Sequence, residues 1–103
     1  MQGELTLKTL QEIINILELH KEEISRTFKL TEIGLFGSVV RSEQKETSDI
    51  DILIELAKPM GLFEFVRLKN YLSDILGVRV DLVMKRALKP RIGKRILKEV
   101  LYV

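Results

Sequence analysis

At 103 residues, 46% of them hydrophobic and 31% charged, the chain has the composition of one small folded domain, expected to span residues 1–103. The absence of cysteine excludes disulfides and thiolate metal sites, and a single histidine, His20, leaves no basis for an imidazole-built zinc centre. The net charge of +2 points to no partner by itself, and no stretch reads as a signal peptide or membrane span, so a cytoplasmic location is expected.

In chain order, Leu7, Leu10, Ile14 and Leu17 fall at helical spacing and predict an amphipathic helix, with Thr6 as its N-cap and an end near His20. A second helical pattern runs through Ile24 and Phe28, its Lys21, Glu22, Glu23 and Arg26 reading as a solvated face. Ile33, Leu35 and Phe36 predict a strand over 32–36 that runs into Gly37-Ser38. A second strand over 49–55 alternates Asp49 and Asp51 with Ile50, Ile52 and Ile54. After the break at Lys58-Pro59-Met60-Gly61, Leu62, Phe65, Leu68, Leu72 and Ile75 predict a helix with Gly77 just past its end; Phe63, Phe65 and Tyr71 read as core or interface residues. Val78, Val80, Leu82 and Val83 predict a third strand over 78–84 containing Asp81, and a last helix after Pro90 carries Ile92, Ile96, Leu97, Val100 and Leu101. The fold class expected is α+β: a three-stranded mixed sheet with helices mainly on one side and Asp49, Asp51 and Asp81 on one sheet face.

The chemistry concentrates between Gly34 and Glu55. Residues i and i+2 of a strand share a face, which sets Asp49 beside Asp51. Two carboxylates about 4 Å apart repel by roughly 4 kcal/mol at an effective dielectric near 20, so such a pair calls for a cation between its members, and a hard divalent ion with oxygen ligands suits it. Taken singly, each signal has a plainer reading: Gly-Ser after a strand is commonly a turn whose serine caps a helix, and Asp-x-Asp is commonly an exposed alternating face. The combination is more pointed. Asp81 lies in a valine- and leucine-rich strand where an unpartnered buried charge is costly. Three carboxylates on neighbouring strands suit two divalent ions about 3.5–4 Å apart, an arrangement used for in-line displacement at phosphorus.

Gly37-Ser38, then Arg41, then Ser48-Asp49-Ile50-Asp51 resemble the signature of the DNA polymerase β-type nucleotidyltransferase superfamily, in which a Gly-Ser turn is followed after about ten residues by Asp-x-Asp. From the leading helices through Gly61-Leu62-Phe63-Glu64-Phe65 and Val80-Asp81-Leu82-Val83 to Val100-Leu101-Tyr102-Val103, the chain is similar to the superfamily's smallest branch, the minimal nucleotidyltransferases that act as antitoxin partners of HEPN-domain toxins. One departure is Ser42, which stands where a glycine commonly follows the arginine.

The resemblance implies that Asp49, Asp51 and Asp81 form the catalytic set and hold two Mg²⁺ ions, Asp81 also helping to take a proton. It further implies that Gly37 and Ser38 bind the phosphates of ATP, that Arg41 adds positive charge, and that Ser48 shapes the start of the strand. The implied reaction is transfer of AMP from ATP to a hydroxyl, a tyrosine, on the cognate HEPN toxin, with release of pyrophosphate. The alternative is a catalytically silent antitoxin that neutralises the toxin by steric binding; retention of all three acids weighs against it. Because the catalytic elements consume the chain, the toxin must present the acceptor, which implies a hetero-oligomer. Lys85, Arg86, Lys89, Arg91, Lys94, Arg95 and Lys98 form an acid-free basic stretch. It lacks interleaved aromatics, so no direct nucleic-acid binding is expected.

Overall fold

The computed structural model describes residues 8–45 and 49–103; Thr6, Leu7 and Ser48 lie outside them. The elements are α1 (Leu10–Phe28), β1 (Leu30–Phe36), β2 (Ile50–Leu56), α2 (Leu62–Leu76), β3 (Val80–Met84), α3 (Pro90–Glu99) and β4 (Leu101–Tyr102). The strands form one sheet in the order β3-β2-β1-β4. β1 pairs antiparallel with β2 and with β4, whereas β2 and β3 run parallel, joined by α2 as crossover.

Two expected helices are one. Ile13, Leu17, Ile24 and Phe28 are buried along α1, spaced four, seven and four residues apart. With no glycine or proline between them, the charged Lys21–Glu23 segment is the solvent side of a continuous helix. The N-cap is Thr9, whose hydroxyl accepts from the Glu12 amide while the Glu12 carboxylate accepts from the Thr9 amide, a reciprocal capping box. At α2 the Gly77 expectation holds: it adopts φ 69° as the left-handed cap, its N–H donating to the Ser73 carbonyl.

The fourth strand was not expected. α3 stops at Glu99, Val100 turns extended, and Leu101 and Tyr102 pair with Leu35 and Gly34. Without them the outer edge of β1 would present unpaired backbone groups. The Val103 amide continues the attachment by donating to the Ile33 carbonyl at 2.9 Å.

The core lies between one sheet face and α1 with α2. Ile33 and Leu35 of β1, Ile50, Ile52 and Ile54 of β2, and Val80 and Leu82 of β3 meet Ile13, Leu17, Ile24, Leu68, Leu72 and Leu76. Each fully buried aliphatic side chain contributes about 1.5–3 kcal/mol relative to exposure. Alternation therefore locks the register: a one-residue slip would turn Ile52 and Ile54 out and the acids in. By contrast Leu62 and Phe63, at the start of α2, are 75% and 87% exposed.

Candidate active site

The acids emerge on the sheet face away from α1 and α2. Asp51 stands directly opposite Phe36 of β1 on one side and opposite Asp81 of β3 on the other. The parallel β2–β3 register thus brings together two residues 30 positions apart, because Ile50–Val80 and Ile52–Leu82 are pinned in the core on either side of them. Burial first, then the neighbouring charge and hydrogen bond of Asp81, then the charge of Asp49, push the Asp51 carboxyl up to about 6. A hydrogen bond between two carboxyl groups requires a proton on one of them, so without a cation the Asp51 carboxyl takes up a proton as the pH falls through about 6.

Asp49 precedes β2, is exposed, and pairs with Arg79 at 3.3 Å. It is close enough to repel Asp51. Among the described residues no three acidic or histidine side chains converge as ready ligands for one ion. The donor set nevertheless fits a hard divalent cation: Asp51 and Asp81 are oxygen donors held side by side, with Asp49 adjacent, and their crowding is the kind that a cation relieves.

Gly37 and Ser38 begin a 3₁₀ turn, Gly37–Val39, that follows β1 directly. Gly37 has φ 80° and its backbone lies against the Asp51 side chain. Ser38 is half-buried and its carbonyl accepts from the Glu43 amide, closing the loop back on the turn. Arg41, exposed, extends from the same loop; its charge lowers the pKa of Asp51, opposing the acids. Ser42 has φ 60°, the left-handed conformation for which glycine is the usual residue.

Glu99 is a site residue that the sequence reading passed over. The Gly37 amide donates to its Oε2 at 2.8 Å, and Arg41 Nη1 donates to Oε1 at 2.8 Å and to Oε2 at 3.1 Å. Burial works against its charge, but the hydrogen bonds from Gly37 and Arg41 and the charges of Arg41 and Arg95 outweigh it and hold the carboxyl below its ordinary value. A signal was present: Glu99 is the sole acid after Asp81 in a strongly basic stretch. Beside it a concave pocket of about 260 Å³ opens between the turn and α3, lined by Phe36, Gly37, Arg41, Ile92, Arg95 and Glu99 among others.

Residues 17–103 match the family described as nucleotidyltransferase domain. The chain is similar to the protein adenylyltransferase MntA of Thermococcus cleftensis, with 50% identity over 99 residues that cover 96% of this chain and 100% of that protein. A solved structure described provisionally as a minimal nucleotidyltransferase superposes with a TM-score of 0.79 at 33% identity, covering 93% of this chain and 97% of that one. A toxin–antitoxin crystal structure with AMP-PNP superposes with a TM-score of 0.69 at 28% identity, covering 82% of this chain and 70% of its counterpart. With the match running from within α1 to the last residue, and with a site of paired acids beside a glycine-serine turn, the chain belongs to the nucleotidyltransferase domain family, among its minimal members.

Proposed function

We propose that the protein transfers AMP from ATP to a hydroxyl, a tyrosine, of a HEPN-domain toxin and thereby neutralises it, in a magnesium-dependent reaction. The observation that carries this reading is the in-register pairing of Asp51 with Asp81 directly beside the Gly37-Ser38 turn. Anion-binding backbone and cation-binding carboxylates thus lie within one side chain's reach of each other. Relatives called protein adenylyltransferase, and a related toxin–antitoxin structure with an ATP analogue, support it.

In this reading Asp51 and Asp81 would hold magnesium, two ions being proposed, once Asp49 joins them from its ion pair with Arg79. Magnesium, when bound, supplies positive charge to the phosphates and acidifies the attacking hydroxyl. The Ser38 hydroxyl and the turn's amides other than that of Gly37, which Glu99 occupies, bind phosphate oxygens, since glycine at 37 admits close approach. Arg41 adds charge to the leaving phosphates. The toxin's hydroxyl oxygen bonds to the α-phosphorus, the bond from that phosphorus to the bridging oxygen breaks, and pyrophosphate leaves with the bond's electrons. The hydroxyl proton passes to a carboxylate, with Asp81, the more exposed of the pair, as acceptor.

The test is incubation with labelled ATP, magnesium and the toxin, followed by intact-mass measurement of both proteins. A gain of one or more adenylate units on the toxin is expected, and none on any partner would overturn the reading. Asp49→Asn then separates catalysis from steric neutralisation. Its lost ion pair is to an Arg79 side chain 81% exposed, so its effect on stability is small, under about 0.5 kcal/mol. The variant is expected to bind toxin and fail to protect cells. Protection at native expression would favour steric neutralisation.

A further inference from the structure

The segment after α3 does more than close the sheet. β4 is attached to β1, and Val100 and Tyr102 lie close over Gly34, so the backbone at the end of α3 is fixed where Glu99 reaches the turn. Glu99 takes the Gly37 amide and Arg41 Nη1, while Arg41 Nε donates to Glu43 at 3.0 Å. A guanidinium has five N–H donors on three nitrogens. Glu99 and Glu43 engage Nη1 and Nε, and Nη2 makes no hydrogen bond among the described residues.

We propose that Glu99 is a positioning residue for the nucleotide: it holds the Gly37 turn in shape and, with Glu43, orders Arg41 so that a guanidinium with free donors is presented to phosphate. This rests on the reading of the turn as the phosphate site. A carboxylate on an amide and an arginine is also what a phosphate stand-in would look like, one that nucleotide must expel. Two features favour positioning. The Glu99 side chain is only 25% exposed and springs from an anchored backbone, and its hydrogen bonds leave part of the arginine uncommitted. A flexible arginine that must be ordered on binding loses affinity to that ordering, and pre-organisation removes the loss.

The experiment is calorimetric titration of AMP-PNP with magnesium into the unmutated chain, Glu99→Ala, Glu99→Gln, Arg41→Ala and the Glu99→Ala/Arg41→Ala double variant, with thermal melts of each. Glu99→Ala is expected to weaken binding about tenfold. Glu99→Gln, which keeps an oxygen for the Gly37 amide, should weaken it less. In the Arg41→Ala background the Glu99→Ala loss should shrink to about twofold, as for residues acting through one another. A purely structural role would lower the melting temperature and leave this coupling absent. Unchanged binding in Glu99→Ala, tighter binding in it, or full additivity with Arg41→Ala would each overturn the proposal, tighter binding identifying a phosphate stand-in. Should Glu99→Ala not fold, Glu99→Gln and Glu99→Asp carry the same comparison. If the unmutated chain itself binds no AMP-PNP, the reading of the phosphate site fails; if it binds and Glu99→Ala binds equally, only the positioning role does.

Discussion

Gly37 and Asp51 share a space that no side chain at position 37 can enter: a Cβ there would overlap the Asp51 carboxylate, with its Cγ at 3.0 Å and its Cβ at 3.3 Å. The glycine's φ of 80° adds a second requirement. The turn and the acid pair are thereby one unit, built by two strands that meet at Phe36 and Asp51.

Gly37→Ala should therefore cost about 2 kcal/mol or more through left-handed strain and displaced Asp51, and should abolish AMP transfer even where the fold persists. Urea denaturation and the toxin mass assay check the two halves. Wild-type transfer by this variant would show that the close approach is dispensable.

Asp51 gives a pH dependence of unusual sign for an acid. Its carboxyl titrates at about 6, above the ordinary 3.8, so between these values the metal-free native state binds the proton more tightly than the unfolded chain does. The contribution of Asp51 is thus most favourable at low pH and is lost as pH rises through about 6. After allowance for solvent screening of a half-exposed group it amounts to about 1–2 kcal/mol. Asp51→Asn should match or exceed the wild type in metal-free stability at pH 7.5, and the difference should close below pH 5, while transfer is lost throughout. Melts across that range decide it; a gap that widens on acidification would contradict the assignment.

Ser42 occupies the left-handed region at φ 60°, where a Cβ costs roughly 1–2 kcal/mol and glycine carries an entropy penalty of about 0.5–1 kcal/mol. Ser42→Gly is expected to stabilise by about 0.5–1 kcal/mol on that balance. Chemical denaturation reads the shift, and the loop carrying Arg41 should keep its affinity for AMP-PNP.

At Gly34 a Cβ would lie 2.8 Å from Val100 Cγ2, 3.1 Å from the Tyr102 ring and 3.2 Å from the Leu101 carbonyl. Gly34→Ala should push β4 off the sheet at a cost of about 1–3 kcal/mol. Faster hydrogen exchange at the Val103 amide, together with weaker AMP-PNP binding through the loosened Glu99, is the expected pair of results. Loss of binding without faster exchange would place the defect elsewhere.

What the sequence by itself determined is what local spacing can carry. The alternation of Ile50, Ile52 and Ile54 with Asp49 and Asp51, the glycine after Phe36, and the Gly77 stop each depend on a few adjacent residues, and period-two and period-3.6 patterns report them directly. Only the tertiary structure decided which acids share a bond and which residue braces the turn. Asp51 meets Asp81 because a parallel crossover, set by core packing, fixes their register. The junction near His20 is uninterrupted because Leu17 and Ile24, two turns apart and buried on the same helix face, carry the helix across a charged segment that reads locally as an end. Val100 and Leu101 continue an apolar helical stripe in sequence, yet the two residues Leu101 and Tyr102 suffice for a strand where a sheet edge lacks its partner. That edge pairing, between the first and last strands in sequence, is also what carries Glu99 to Gly37 across 62 positions, a distance over which no spacing rule operates.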